Sequence, residues 1–228
     1  MASVFAMGAT GCSLRNGSSA VSRCAEVNDR LGVAWERLRG FVATDAESCL
    51  QTASSGAGPC DQIVQEIRRM GMSCPNHVAV LLANAIVLYD QRERASAQQY
   101  LDRLLTIQPA QPEAAMLRAR IALDEGNLPY VKRLLTEQLR VSPDHAGLRE
   151  TYAAALYLSG DLDDARSNLE YARQFGAPSW RVAYHLGLVE EAAGNTVVAA
   201  SYYREAIAAR PGWLLPVSRL NGLNVLRP

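Results

Sequence analysis

The chain is short of histidine, of net charge and of long apolar runs, and each shortage removes a class of function. Its three histidines, His77, His145 and His185, are scattered. None forms the closely spaced pair that a catalytic or structural metal needs. His77 and His145 each follow a proline by two residues and read as turn residues, while His185 stands beside Tyr184 with no nucleophile motif near it. Lys plus Arg and Asp plus Glu are equal at 23 each, so the long-range field that draws a basic domain to nucleic acid or anionic lipid is missing. The richest apolar stretch, Val78 to Tyr89, is interrupted by Asn84 and falls well short of the ~20 residues a membrane-spanning helix requires. There is no phosphate-binding loop and no dinucleotide glycine fingerprint. The carboxylate pairs Asp163-Asp164 and Glu190-Glu191 fall at a turn and near a helix end, where solvated charge is common. The expectation is a protein without catalytic residues, cofactor or metal.

What the sequence does contain is a period. With 49% hydrophobic residues it can bury a continuous core. Pro75, Pro109, Pro143 and Pro211 are spaced by 34, 34 and 68 residues, with Pro178 one place late for the missing member. Gly58, Gly126, Gly160 and Gly194 follow the same interval, and only Arg92 breaks their series. A glycine supplies the tight turn between two helices and a proline stops the second one. Each 34-residue unit therefore reads as two antiparallel helices.

Within the last unit, Leu186-Gly187, Ala199, Tyr203, Ala206 and Pro211 resemble the tetratricopeptide repeat, and Ala165, Leu169 and Ala172 fit the unit before it. The resemblance implies an all-α fold, a right-handed solenoid of helix pairs. The units are 78–111, 112–145, 146–179 and 180–212. A divergent unit near 44–77 precedes them within a helical region 24–77, and a C-terminal cap 213–228 follows. In that cap Trp213, Leu214, Val217, Leu220 and Leu223 share a face. Residues 24–42 form a further amphipathic helix, with Val27, Leu31, Ala34, Trp35 and Leu38 at helical spacing.

In that family partners bind a groove lined by the first helix of each pair. Carrying the groove positions over selects Leu82, Ile86, Tyr89 and Asp90 in one unit and Glu113, Met116, Arg120 and Asp124 in the next. Glu150, Tyr157 and Leu158, then Arg181, Tyr184, Leu188 and Glu191, complete the set. A few apolar anchors within a polar rim suit a protein or peptide partner. Tyr157 and Tyr184 are the preferred anchors, because a tyrosine buries area while keeping a hydroxyl for hydrogen bonding.

The N-terminal residues 1–12 are apolar and uncharged and end in small residues before Cys12. They look like the end of a bacterial lipoprotein signal, in which Cys12 would carry the lipid and residues 13–23 would form a tether. Cys24, Cys49, Cys60 and Cys74 remain, an even number that an oxidising periplasm would pair. If Cys60 and Cys74 end one helix, they lie about 21 Å apart and cannot bond to each other. The other two pairings stay open, as do buried thiols in a reducing cytosol. The leading expectation is a periplasmic adaptor of the pilotin or type IV pilus assembly kind, anchored to the outer membrane by lipid alone and binding no nucleic acid. The alternatives are a cytoplasmic scaffold or secretion chaperone, and a regulatory domain of an enzyme.

Overall fold

A computed structural model describes residue 24, residues 26–37 and residues 58–225. Eleven helices and no strands occur among these residues. They are α1 (27–37), α2 (Pro59–Ser73), α3 (Val78–Asp90), α4 (Arg94–Ile107), α5 (Pro112–Asp124) and α6 (Leu128–Val141). Then come α7 (Ala146–Leu158), α8 (Leu162–Gln174), α9 (Ser179–Ala192), α10 (Thr196–Ala209) and α11 (Leu214–Val225). The chain divides into two compact units, Met1–Arg92 and Glu93–Pro228, and each is taken by itself.

The periodic residues mark the boundaries between helices. Gly126, Gly160 and Gly194 sit in the turns after α5, α7 and α9 with φ of 73°, 82° and 81°, a conformation that costs a residue bearing Cβ about 1–2 kcal/mol. Arg92 occupies the equivalent turn after α3 and takes the same conformation, φ 64°. Gly58 departs from the series. It is the N-cap of α2 with φ −85°, so its place in the interval does not reflect a left-handed turn. Pro109, Pro143 and Pro211 follow the ends of α4, α6 and α10. His77 and His145 are the N-caps of α3 and α7, and His145 Nδ1 accepts the Leu148 N–H at 3.1 Å.

In the unit Glu93–Pro228 each helix packs on the next from α4 to α11, and α5 also meets α7, as α7 meets α9. This is the helix-pair packing of tetratricopeptide solenoids, with α5, α7 and α9 as first helices and α6, α8 and α10 as second helices. Close approach is made possible by small residues: Ala119, Ala122, Ala155, Ala165 and Ala199 are fully buried, and the larger Leu135, Leu169 and Tyr203 fill the space left above them. The capping helix α11 buries Leu223 and half-buries Leu220. Leu214, expected on the same face, is instead 75% exposed. Trp213 and Pro216 turn inward in the first turn of that segment, and Leu214, about 100° round the helix from its neighbour, faces away.

In the unit Met1–Arg92, α1 lays Val27, Leu31 and Ala34 against Ile63, Ile67 and Met70 of α2 and Val80, Ala83 and Val87 of α3. Residues 27–37 thus pack in one core with α2 and α3. The divergent unit expected at 44–77 pairs α2 with residues just before it, and those lie outside the described residues. Cys24 and Cys74 are bonded across the pair, with Cα atoms 5.8 Å apart. Cys60 is disulfide-bonded as well, while Cys12 and Cys49 lie outside the described residues. Asn84, the polar interruption in the apolar run, is buried and donates to the carbonyls of Ile67 at 3.2 Å and Val80 at 2.9 Å. Its amide is thus satisfied in the core. No helix of the described residues is long and apolar enough to cross a membrane.

Candidate interaction face

The first helices α5, α7 and α9 stand side by side, so the positions picked from the sequence fall on one surface of the unit Glu93–Pro228. Between α7 and α9 this surface dips into a cleft of about 180 Å³, walled by Ala153, Ala154, Tyr157, Leu158, Leu188 and Val189 and closed below by Leu169. His185 forms one side. The lining is almost wholly apolar. Its size decides what it can hold: drug-sized ligands and cofactors occupy ~300–1,000 Å³, whereas an apolar cavity of ~150 Å³ admits benzene. One side chain fits.

Most of the charged residues on the surface are already engaged. Arg181 Nε and Nη2 donate to the two carboxylate oxygens of Glu150 at 2.5 and 2.6 Å, and His185 Nδ1 lies 3.3 Å from Glu150 Oε1. Burial pushes the Glu150 carboxyl up, but the hydrogen bonds from His185 and Arg181 outweigh it and hold the group down at about 2. Glu191 accepts from the Tyr203 hydroxyl at 2.5 Å and from Arg219 at 3.4 Å. Asp124 pairs with Arg94 at 2.9 Å, and Glu113 lies 3.7 Å from His145 Nε2. Arg120, half-buried on α5, has no such partner among the described residues. Met116, half-buried one turn earlier, packs against the α5–α7 core and approaches Gly147.

The two tyrosine anchors differ in their surroundings. Tyr157 lines the cleft with its neighbour Leu158, which is 56% exposed. Tyr184 is held in an aromatic cluster, 4.7 Å from the Trp213 ring and 5.9 Å from that of Tyr203, with Trp180 set edge-on to Trp213 at 4.9 Å. The start of the capping segment thus occupies the surface that Tyr184 would have offered. Glu150 and Arg181 likewise serve each other, joining successive first helices.

In the other unit, Leu82, Ile86, Tyr89 and Asp90 lie on α3, and all four keep part of their surface exposed. Ile86 borders an apolar hollow of about 480 Å³ with Gly32, Trp35 and Glu36 of α1. Burial raises the Asp90 carboxyl above its ordinary value. Trp35 and Gly32 are not among the groove positions. Their signal is the helical spacing of Val27, Leu31 and Ala34, which places 32 and 35–36 beside the buried stripe. Among the described residues no group of three or more His, Cys, Asp or Glu is placed to hold a metal ion.

A tetratricopeptide-repeat model matches residues 82–129 and 153–212. A thermophilic tetratricopeptide protein of Thermus thermophilus superposes with a TM-score of 0.68 at 16% identity, over 86% of this chain and 100% of that one. A tetratricopeptide repeat protein from Parabacteroides merdae gives 0.61 at 16%, over 92% and 86%. YrrB, described as a tetratricopeptide protein with an unusual peptide-binding site, gives 0.56 at 12%, over 71% and 83%. No curated protein sequence matches. The repeat model covers those two segments, and the solved structures support the fold, a solenoid of paired helices.

Proposed function

We propose that the protein is a non-catalytic scaffold that seats a protein or peptide partner on the face formed by α5, α7 and α9. The observation carrying this reading is the apolar cleft beside Tyr157, sized for one side chain and ringed by charges that mostly neutralise each other. Such a surface supplies an anchor and a polar rim for a partner. A pull-down from the native host comparing wild type with Tyr157→Ala tests it. Loss of a partner is expected, and undiminished recovery rejects the assignment.

The cellular setting we propose is the periplasm, with Cys12 lipidated and the scaffold serving assembly of an envelope, secretion or pilus complex. The disulfides at Cys24–Cys74 and Cys60 favour an oxidising compartment, and the apolar residues ending at Cys12 favour the lipid. Intact mass spectrometry of protein from the host is expected to show acyl chains on Cys12 and cysteines without free thiols. An unmodified Cys12 with reduced thiols would point to the cytoplasmic scaffold instead.

A further inference from the structure

Resting on the reading of the α5–α7–α9 face as the docking surface, we propose that its ligand is an extended peptide with an aliphatic residue and an acidic residue two or three places apart. The cleft between α7 and α9 takes the aliphatic side chain, and Arg120 takes the carboxylate.

The first half follows from volume and lining. About 180 Å³ walled by Ala154, Tyr157, Leu158 and Leu188 and closed below by Leu169 receives one aliphatic group and leaves nothing for a polar head to bond. The second half follows from accounting for charge. Asp124, Glu150, Arg181 and Glu191 each have an opposite charge or a hydrogen-bond donor of their own within the fold. Arg120 is the cationic groove position of this unit left without one among the described residues. A half-buried guanidinium has lost part of its hydration and gains most from a carboxylate, which it can hold through two parallel N–H···O bonds. A basic group reaching Glu150 or Glu191 would meet carboxylates already paired, so the charge this surface asks of a ligand is negative and sits at Arg120.

The spacing follows from the repeat. Arg120, Ala154 and Leu188 recur at intervals of 34 residues, hence at one level on α5, α7 and α9. Neighbouring packed helices lie roughly 8–10 Å apart. From the tip of an arginine on α5 to a cleft beyond α7 is therefore roughly 8 Å, which an extended chain at ~3.3 Å per residue covers in two or three steps.

The test is selection of a displayed library of random twelve-residue peptides on the full-length chain, repeated on Arg120→Gln, Leu158→Ser and Ala154→Phe. Leu158 is exposed, so its replacement leaves the fold intact if filling the cleft from Ala154 does not. Wild type is expected to enrich peptides pairing Leu, Ile or Val with Asp or Glu at the stated spacing. Arg120→Gln should lose the acidic preference and keep the aliphatic one, and the cleft variants should do the reverse, each with at least a tenfold drop in enrichment. Peptides that respond to the cleft variants but carry no such pair overturn the inference while leaving the scaffold reading in place. Peptides indifferent to all three variants, or no enrichment at all, overturn the inference, and the partner pull-down with Tyr157→Ala then judges the broader reading.

Discussion

Gly187 and Tyr203 are fitted to each other so closely that a Cβ on Gly187 would fall inside the van der Waals envelope of the Tyr203 ring. Tyr203 is fully buried, and burial together with its bond to Glu191 pushes its hydroxyl well above the usual tyrosine range. The ring has nowhere to retreat. Gly187→Ala is expected to destabilise the protein by about 1–3 kcal/mol through overpacking, although alanine suits a helix better by ~1 kcal/mol. Gly222→Ala, which meets nothing within 4 Å, should instead be neutral or stabilising. Urea midpoints of the two variants check the contrast. Ala165→Leu and Ala199→Leu, at fully buried sites, should behave like Gly187→Ala.

Among the described residues, Arg92 is the one non-glycine residue held in a left-handed turn. Its φ of 64° matches Gly126, Gly160 and Gly194. Arg92→Gly should raise stability by roughly 0.5–1 kcal/mol, the relief of left-handed strain exceeding the added entropy of the unfolded chain. Gly160→Ala should lower it by about 1 kcal/mol. Thermal melts of both variants would show shifts of opposite sign.

Acid should expose the Glu150 pair. The folded protein keeps this carboxyl charged down to about 2, whereas an unfolded chain protonates it near 4.5. Its stabilisation is therefore complete above about pH 5 and is lost as pH falls from 4.5 towards 2. The full amount is roughly 3 kcal/mol. Glu150→Gln cannot make the charged pair with Arg181, so the gap in stability between wild type and variant should close as pH falls across that window. A gap unchanged from about pH 6 to about pH 3 would contradict the assignment.

The Cys24–Cys74 bridge spans 50 residues of sequence, a loop whose closure restricts the unfolded chain by about 4 kcal/mol in the chain-entropy view. Cys24→Ser is expected to cost about 2–4 kcal/mol. Hydrogen exchange should place the loss in α1, whose Val27, Leu31 and Ala34 complete the core over α2 and α3.

The repeat could be read from the sequence because its punctuation is backbone chemistry: a left-handed turn wants glycine at 126, 160 and 194, and a helix cannot run through prolines 109, 143 and 211. The first helix pair was less legible. None of the glycines and prolines of the 34-residue series lies in α1, so the interval does not announce it. The groove positions were legible as a face and not as free residues. Arg181 and Glu150 lie 31 residues apart, three short of the period, and bond across successive first helices. An opposite-charge search at that separation would have found them. Tyr184 is engaged by Trp213, which belongs to the cap and obeys no repeat rule.

The most direct test of the scaffold face is photocrosslinking in the native host, with a benzophenone amino acid placed at Tyr157 beside the cleft or at Tyr171 on α8, which is 48% exposed and stacked on Phe175. Both probes should leave the fold intact. The account predicts a discrete crosslinked partner from position 157 and none from 171; the same partner captured equally from both, or from 171 alone, would contradict it.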